Sequence, residues 1–553
     1  MTNSICFLLK INFNPMKKSI ILIFTILSFS CTKKIAVETL VINATIYTVN
    51  SNFDKAEAFA IKNGKIIAVG TSEEIQAKYS ATYVNDVQGK TIVPGFIDAH
   101  CHFFGLGLQQ QKVDLEGTTS FDEMLQRIVD FQKEKNVPYI TGRGWDQNDW
   151  VVKEFPNKDK LDELFPNTPV SVRRIDGHAL LANQAAIDLA GVTVETKAEG
   201  GFILQENGKL TGVFIDGPMS LIGEKIPEPS KKEQIQALKD AERICFDLGL
   251  TTVDDAGLSK EAIELIDSLQ QIGELKMRIY AMVSVSDENI DYYTNKGITK
   301  TDRLNVRSFK VYADGALGSR GAVMKQSYSD QHNHFGAMVT PLENLQNYAE
   351  KIAASDFQMN THAIGDSANY VMLKTYKDVL KDQKDRRWRI EHAQIIDKPD
   401  FKYFDNILPS VQPTHATSDM YWAEERVGPK RIKGAYAFKD LLNTYGKIAL
   451  GTDFPVEKVS PLLTFYAAVV RKDLSNFPEN GFQMENALTR EETLKGMTIW
   501  AAYSNFEEQE KGSIEVGKFA DFIILNEDIM EVEGSEIPKI KIEETYIGGI
   551  KVK

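Results

Sequence analysis

Cysteine is scarce in this chain, with only four in 553 residues. Cys6 and Cys31 lie in an N-terminal segment that we expect to be cleaved, with Cys31 kept as the first residue, so only Cys101 and Cys245 remain in the body of the protein. This usage does not predict the dense disulfide framework of small secreted domains. A chain of this length can bury a sizeable core without one.

Basic residues are also in deficit, because 64 lysines and arginines face 77 acidic residues, for a formal net charge of -13. Such a chain repels a phosphate backbone unless a basic patch is concentrated somewhere, and the sequence has no such patch. The charge-rich block 381–387 alternates in sign, which is typical of a solvated surface. We therefore expect no nucleic-acid partner, and the 43% hydrophobic content predicts a folded chain.

A hydrophobic run long enough to cross a membrane, roughly 20 residues, is missing as well. The apolar run Ile20–Phe29 is too short, and it follows Lys17 and Lys18, which is the layout of a secretory signal. We predict that residues 1–31 hold a signal peptide with lipoprotein-type cleavage before Cys31; ordinary cleavage, without lipid, is the alternative. Met16 is an alternative start. We expect a protein exported to the bacterial periplasm or outer membrane and anchored by lipid.

Short apolar segments alternate with helix-like sequence through most of the chain, which predicts an α/β fold with a (β/α)8 TIM barrel over residues 91–507. The eight candidate strands are 92–100, 250–257, 276–283, 308–314, 358–364, 388–393, 407–415 and 447–453. The interval of about 103–249 is too long for one helix and predicts an inserted α/β lobe. Alternating segments in 32–90 and 508–553 predict a composite β-sandwich formed by both chain ends.

Histidines cluster at the ends of the candidate strands, where barrels of this kind carry their active sites. His100 and His102 are spaced i, i+2, so both rings face one side of an extended strand. His362, His392 and Asp453 end three further strands, and together these five side chains could bind Zn²⁺ or Mn²⁺ with positions open for water. For His362 or His392 taken singly, a hydrogen-bonded core histidine is the alternative.

Several motifs in this order resemble the amidohydrolase superfamily, in particular its amidohydrolase-3 branch, which includes N-substituted formamide deformylases. The motifs are VPGFIDAHCH, FKVYADGALGSRGA, THAIGD, RIEHAQ, VQPTH and ALGTDFPV, with GRGWDQNDW and RRIDGHALLAN in the insertion. The resemblance implies one further ligand, a carboxylated Lys310 that bridges two metals, and the cofactor we expect is one or two Zn²⁺ ions. An ordinary lysine paired with Asp314 is the alternative.

The expected reaction is hydrolysis of a carbon–nitrogen bond in a small non-peptide amide, by a water that the metal activates. Asp453 would bind metal and also move the proton. We expect His178, His415, Trp145 and Asp146 to contact substrate, and His332 and His334 to lie on the surface. The alternatives are cyclic-amide, ester or deaminase activity, or a binding protein that keeps the fold without the reaction. Homo-oligomer formation is left open.

Overall fold

The computed structural model describes residues 34–197 and 201–553. The predicted signal peptide and the cleavage site before Cys31 lie outside the described residues. Within the described part of the chain, no helix combines the length and the apolar character needed to cross a membrane. Cys101 and Cys245 are buried free thiols.

Eight parallel strands form a nearly closed barrel, which confirms the predicted (β/α)8 architecture. Each strand pairs with the next in chain order. The strands are β1 (Phe96–Cys101), β2 (Leu250–Leu258), β3 (Arg278–Ser284), β4 (Leu304–Tyr312), β5 (Gln358–Ala363), β6 (Arg389–His392), β7 (Leu408–Val411) and β8 (Ala449–Leu450). β1 and β8 meet through hydrogen bonds beyond the short β8, since the Asp453 amide donates to the His100 carbonyl (2.8 Å) and the His102 amide donates to the Phe454 carbonyl (2.8 Å).

Helices follow the barrel strands, and most of them cover the outside of the barrel with their apolar faces against the strands. They are Lys231–Asp247, Lys260–Gln271, Asp287–Lys296, Leu342–Ala353, Asp366–Leu380, Pro413–Asp419, Ala423–Arg431, Phe438–Tyr445, Pro461–Val470, Arg490–Gly496 and Ile499–Ser504, with 3₁₀ segments Lys398–Asp405, Ile432–Gly434, Met484–Asn486 and Gly534–Lys539. Thr489 and Glu492 form the capping box that their spacing predicts. A two-residue segment, Thr299–Lys300, pairs antiparallel with β4.

Several strand boundaries differ from the predicted ones, and β8 ends at Leu450 rather than at residue 453; two of the differences change the element to which residues belong. The segment 92–100 is two strands: Thr91–Pro94 belongs to another sheet, and β1 starts at Phe96. Gly95 lies between them against Thr251, and a side chain there would clash, because an added Cβ would lie 2.3 Å from the threonine. The seventh strand ends at Val411 instead of His415, because Pro413 starts a new helix.

The chain between β1 and β2 folds as an α/β lobe around one mixed sheet. In spatial order its strands are Gly201–Glu206, Lys209–Asp216, Ala179–Ala182, Val170–Arg174, Ile140–Trp145 and Val113–Asp114. Its helices are Phe103–Gln109, Phe121–Lys135, Asp159–Leu164, Gln184–Ala190 and Met219–Gly223, with a 3₁₀ turn at Gln147–Asp149. Separate hydrophobic clusters, one around Trp145 and one around Phe214, pack in this lobe.

The chain ends meet in two further sheets. One contains Ile35–Ile42, Ala58–Lys62, Lys65–Gly70 and Tyr79–Asp86, and the helix Ser72–Lys78, which connects the last two of these strands, packs against it. The other contains Thr45–Tyr47, Lys55–Ala56, Thr91–Pro94, Phe522–Leu525, Ile542–Ile547 and Ile550–Lys551. Thr91–Pro94 pairs antiparallel with Phe522–Leu525, so residues more than 400 positions apart share one ladder. Phe59 of the first sheet packs edge-on against Phe522 of the second, with ring centroids 5.0 Å apart.

Candidate metal centre

A cavity of about 410 Å³ lies at the C-terminal ends of the barrel strands. Parallel strands bring their C-terminal ends to one face of the barrel, so side chains distant in sequence meet there. The polar side chains that line the cavity are His100, His102, Lys310, Tyr312, His362, His392, Gln394, His415, Asp419, Asp453 and Glu457. All six side chains predicted to bind metal are among them.

His100 lies at the end of β1 and His102 directly follows the strand, and both rings are oriented by hydrogen bonds at Nδ1. His100 Nδ1 lies 2.6 Å from Glu391 Oε2, with both side chains fully buried. His102 Nδ1 lies 3.0 Å from the Ala256 carbonyl oxygen. A carbonyl oxygen only accepts, so His102 carries its proton on Nδ1; we assign His100 the same tautomer from its carboxylate partner. Both Nε2 atoms are left as lone-pair donors facing the cavity.

Asp453 reaches the cavity from the loop after β8, where its backbone adopts a left-handed conformation (φ 63°) that non-glycine residues rarely take. Its Oδ1 lies 3.2 Å from His102 Nε2 and 3.7 Å from His100 Nε2, and its Oδ2 lies 3.3 Å from His415 Nε2. Burial disfavours the carboxylate, but the contacts with His102 and His415 outweigh burial and hold the pKa of Asp453 well below its usual range.

The buried carboxylate of Asp98 fixes the backbone around both ends of this arrangement. Its Oδ1 accepts from the amides of His100 (3.2 Å) and Thr452 (3.0 Å), and its Oδ2 accepts from the Thr452 hydroxyl (2.7 Å). Asp98 therefore ties β1, which carries His100, to the segment that carries Asp453. Burial raises the pKa of Asp98 to about 7.

His362 and His392 end β5 and β6 and face each other with ring centroids 4.5 Å apart. Burial is the main cause that lowers the pKa of His362 to about 3 and that of His392 well below its usual range, so both rings are neutral at pH 7. His362 Nε2 and His392 Nδ1 are buried without a hydrogen-bond partner among the described residues. Neutral imidazoles with unused ring nitrogens are the form of histidine that binds metal.

Lys310 lies at the base of the cavity with 1% of its surface exposed, and its Nζ is 2.9 Å from His100 Nε2. Burial lowers the pKa of Lys310 to about 8, so the neutral amine is populated near neutral pH. An ion pair with Asp314 does not form in the described structure. Asp314 instead accepts backbone amides of Val323, Ile364 and Gly365 at 2.8 to 3.0 Å.

This donor set fits a divalent cation. The potential ligand atoms of His100, His102 and Asp453 lie within 4.8 Å of one another, and those of His392, His415 and Asp453 do the same. Asp453 Oδ1, like the two unused imidazole nitrogens, is buried without a hydrogen-bond partner. Unpaired buried polar atoms are costly, and a cation bound between them would satisfy all three.

The sequence profile of the Amidohydrolase family matches residues 84–552. The chain belongs to this family. It is therefore a hydrolase of the amidohydrolase type, and its donor set and relatives together support a divalent metal.

Two relatives and one solved structure illustrate the similarity. The protein LONG AFTER FAR-RED 3 of Arabidopsis thaliana is 33% identical over 93% of this chain and 91% of its own length. An N-substituted formamide deformylase of Arthrobacter pascens is 24% identical over 92% of this chain and 97% of its own. The crystal structure of an uncharacterized metal-dependent hydrolase from Pyrococcus horikoshii is 28% identical, with a TM-score of 0.75 over 90% of this chain and 99% of that one.

His415 differs from the other histidines of this amidohydrolase site because both of its ring nitrogens are hydrogen-bonded to carboxylates. Nε2 lies 3.3 Å from Asp453 Oδ2 and Nδ1 lies 3.0 Å from Glu457 Oε1. Burial disfavours the imidazolium, but these two hydrogen bonds outweigh it and raise the pKa of His415 to about 10. A protonated ring donates from both nitrogens, so in this state His415 acts as a hydrogen-bond donor.

The lobe residues predicted to contact substrate do not line the cavity. Trp145 is fully buried in the lobe and donates to the Val172 carbonyl, and Asp146 pairs with Arg174. His178 is exposed, with 75% of its side chain accessible, and its Nδ1 lies 2.7 Å from Asp216 Oδ1. The surface histidines His332 and His334 also lie outside the cavity.

Sequence reasoning missed four functional candidates: Asp98, Glu391, Asp419 and Glu457. Glu391 directly precedes His392 in the motif RIEHAQ, so its position next to a predicted metal ligand in the sequence could have identified it. The other three gave no local signal, because single carboxylates in loops and strands are common.

Proposed function

We propose that this protein hydrolyses a carbon–nitrogen bond in a small non-peptide amide, such as an N-substituted formamide. The observation that carries the proposal is the position of Asp453, whose Oδ1 faces His100 and His102 while its Oδ2 contacts His415. One carboxylate therefore adjoins both the candidate metal ligands and a charged donor. The similarity to the Arthrobacter pascens deformylase supports the choice of substrate bond.

We assign the metal to His100, His102, Lys310, His362, His392 and Asp453, with zinc as the ion. These imidazole and carboxylate donors suit zinc. When bound, the metal would lower the pKa of a water molecule and polarise the substrate carbonyl. Whether one or two ions bind depends on whether Lys310 is carboxylated.

We further propose that Lys310 is carboxylated on Nζ. Reaction with CO₂ requires the neutral amine, and burial supplies it by lowering the pKa of Lys310 to about 8. The carbamate is an anion that can bridge two cations, whereas a protonated lysine in the same place would repel them. Two ions are therefore expected with the carbamate and one without it.

Asp453 and His415 have different roles in this proposal: Asp453 transfers the proton, and His415 stabilises the developing negative charge. Asp453 is ionised, so it can accept the proton of the attacking water and deliver it to the departing amine nitrogen. His415, charged and held at Nδ1 by Glu457, has its other N–H at Nε2, where it contacts Asp453 Oδ2. Redirected from Asp453 to the substrate, this N–H can donate a hydrogen bond to the oxygen that becomes negative as the carbonyl is attacked.

The test is hydrolysis of a panel of N-substituted formamides, cyclic amides and esters by protein loaded with Zn²⁺, with metal content measured in parallel. Asp453→Asn is expected to lower kcat by about 10²–10⁴-fold, the usual effect of losing an acid–base group. Asp216→Asn, in the lobe and outside the cavity, is the matched control and should be unaffected. Formamide turnover that survives Asp453→Asn unchanged would show that the proton route is wrong.

We also propose that the protein is exported and lipid-anchored at Cys31. The support is the layout of residues 16–31, with two lysines, a short apolar run and a cysteine. Incorporation of a labelled fatty acid into the full chain in bacteria, and its loss in Cys31→Ser, is the expected result. Label that persists in Cys31→Ser, or is absent from both chains, would contradict the anchor.

A further inference from the structure

The charged side chains in the cavity wall are mainly acidic. Away from the metal-facing residues, the wall carries Asp419 and Glu457. Within residues 34–197 and 201–553, no arginine lines this cavity, and its lone lysine, Lys310, lies buried at the base. A substrate carboxylate or phosphate would therefore meet no arginine or exposed lysine in this wall, although those are its usual partners.

Hydrogen bonds fix the carboxylate of Asp419 through one oxygen and leave its other oxygen without a partner among the described residues. Its Oδ2 accepts hydrogen bonds from the Tyr436 hydroxyl (2.8 Å) and Gln394 Nε2 (3.0 Å). Gln394 Nε2 also donates to the Tyr436 hydroxyl (2.9 Å), and both partners are nearly fully buried. This buried support fixes the carboxylate, while Oδ1 has no hydrogen-bond partner among the described residues.

Glu457 repeats this arrangement on the neighbouring part of the wall. Its Oε1 accepts from His415 Nδ1 (3.0 Å) and from the Ser418 hydroxyl (2.6 Å). Its Oε2 has no hydrogen-bond partner among the described residues, and 20% of the side chain is exposed. Asp419 and Glu457 thus place two carboxylates on this wall, each held through one oxygen and with its other oxygen unpartnered among the described residues.

Two aromatic rings complete the wall. Tyr312 is 38% exposed, and Trp422 is partly exposed and lies over the backbone of Gly318. The ring quadrupole attracts positive charge, and each ring already has a protein cation near it: Lys310 Nζ lies 5.1 Å from the Tyr312 centroid and the Arg426 guanidinium lies 5.6 Å from that of Trp422. Neither feature favours an anion.

We propose that the substrate carries a positively charged amine remote from the scissile amide, and that Asp419 Oδ1 and Glu457 Oε2 bind this amine. The inference rests on the proposed amide hydrolysis at the same centre. It narrows the substrate class to amides that bear an ammonium group, and it assigns Asp419 as the residue that determines this specificity.

The test compares three N-benzylformamides that differ only at the para position: aminomethyl (cationic), methyl (neutral) and carboxylate (anionic). The zinc-loaded protein is expected to prefer the cationic compound over the neutral one by about tenfold in kcat/KM, and the neutral one over the anionic one. Asp419→Asn should remove the preference by raising KM for the cationic compound about tenfold, with kcat and the neutral compound unchanged. Glu457→Gln should also raise KM for the cationic compound, but it weakens the support of His415 Nδ1 and should therefore lower kcat for all three compounds. Asp216→Asn should change neither parameter.

Binding of 4-methylbenzylammonium, measured by calorimetry on the wild type and on Asp419→Asn, separates this inference from the proposed function. If no formamide is hydrolysed but the ammonium binds and Asp419→Asn weakens it, the reaction is wrong and the cation site stands. Equal kcat/KM for all three compounds, a preference for the carboxylate, or an equal loss for all three in Asp419→Asn overturns the inference. The inference is also overturned if 4-methylbenzylammonium binds the wild type and Asp419→Asn equally well, or binds neither of them.

Discussion

Replacement of Glu391 tests whether the orientation of His100 controls metal binding. Glu391 Oε2 lies 2.6 Å from His100 Nδ1, both side chains are fully buried, and the sequence puts Glu391 directly before His392. A hydrogen bond to a charged group contributes about 1.5–3 kcal/mol, against about 0.5–1.5 kcal/mol for a neutral pair. Glu391→Gln keeps an acceptor but loses the charge, so the expected cost is about 1–1.5 kcal/mol.

That cost corresponds to a zinc Kd about tenfold higher, since about 1.4 kcal/mol is a factor of ten. Glu391→Ala removes the acceptor as well and leaves the His100 N–H unpaired in a dry site, so the Kd should rise about 100-fold, the upper range for residues that orient a metal ligand. The assay is competition with a chelator of known affinity, with circular dichroism to confirm folding.

Glu163→Gln, at an exposed site in the lobe, is the matched control and should bind zinc like the wild type. If folded Glu391→Ala binds zinc within about twofold of the wild type, the link from Glu391 through His100 to the metal is refuted.

Two further predictions concern stability. Arg278 and Asp521 form a buried ion pair with two hydrogen bonds (2.6 and 2.9 Å), which joins β3 to the C-terminal strands. Asp521→Asn should therefore lower the free energy of unfolding, measured in urea, by about 3–5 kcal/mol. Glu531→Gln, at the exposed pair with Lys55, is the control and should leave the urea midpoint unchanged. Burial raises the pKa of Asp98 from 3.8 to about 7, so the folded protein favours the protonated side chain. The stabilisation that comes from this proton is full below about pH 4 and is lost as pH rises through 7. Asp98→Asn should therefore flatten the change of unfolding temperature between pH 4 and 7; a slope identical to the wild type would contradict this.

The barrel could be predicted because its strands are short apolar runs separated by helix-like sequence. That pattern depends only on local sequence, and it located His100, His362, His392 and Asp453 at one end of the barrel. Two of the boundary errors arose where the outcome depended on distant partners or on a helix start. From the sequence alone Thr91–Pro94 is continuous with β1, and only its pairing with the distant strand Phe522–Leu525 assigns it to another sheet.

The wall of the cavity was predicted less well than its base. The residues expected in the lobe, Trp145, Asp146 and His178, stand in a distinctive motif, yet they serve the lobe or face solvent. Asp419 and Glu457 lie in loops and at helix ends, where nothing in the local pattern separates a cavity carboxylate from a surface one. Their roles depend on contacts with Tyr436 and His415, which only the fold brings together.

The ladder between Thr91–Pro94 and Phe522–Leu525 has a consequence for synthesis on the ribosome. The early strand emerges first and waits for more than 400 residues of translation before its partner exists. Throughout that time it presents an exposed edge of unpaired amides and carbonyls, which is a template for pairing with other nascent chains. The nascent protein is therefore most prone to aggregation during elongation, and chaperone dependence should end only when the last few dozen residues are released.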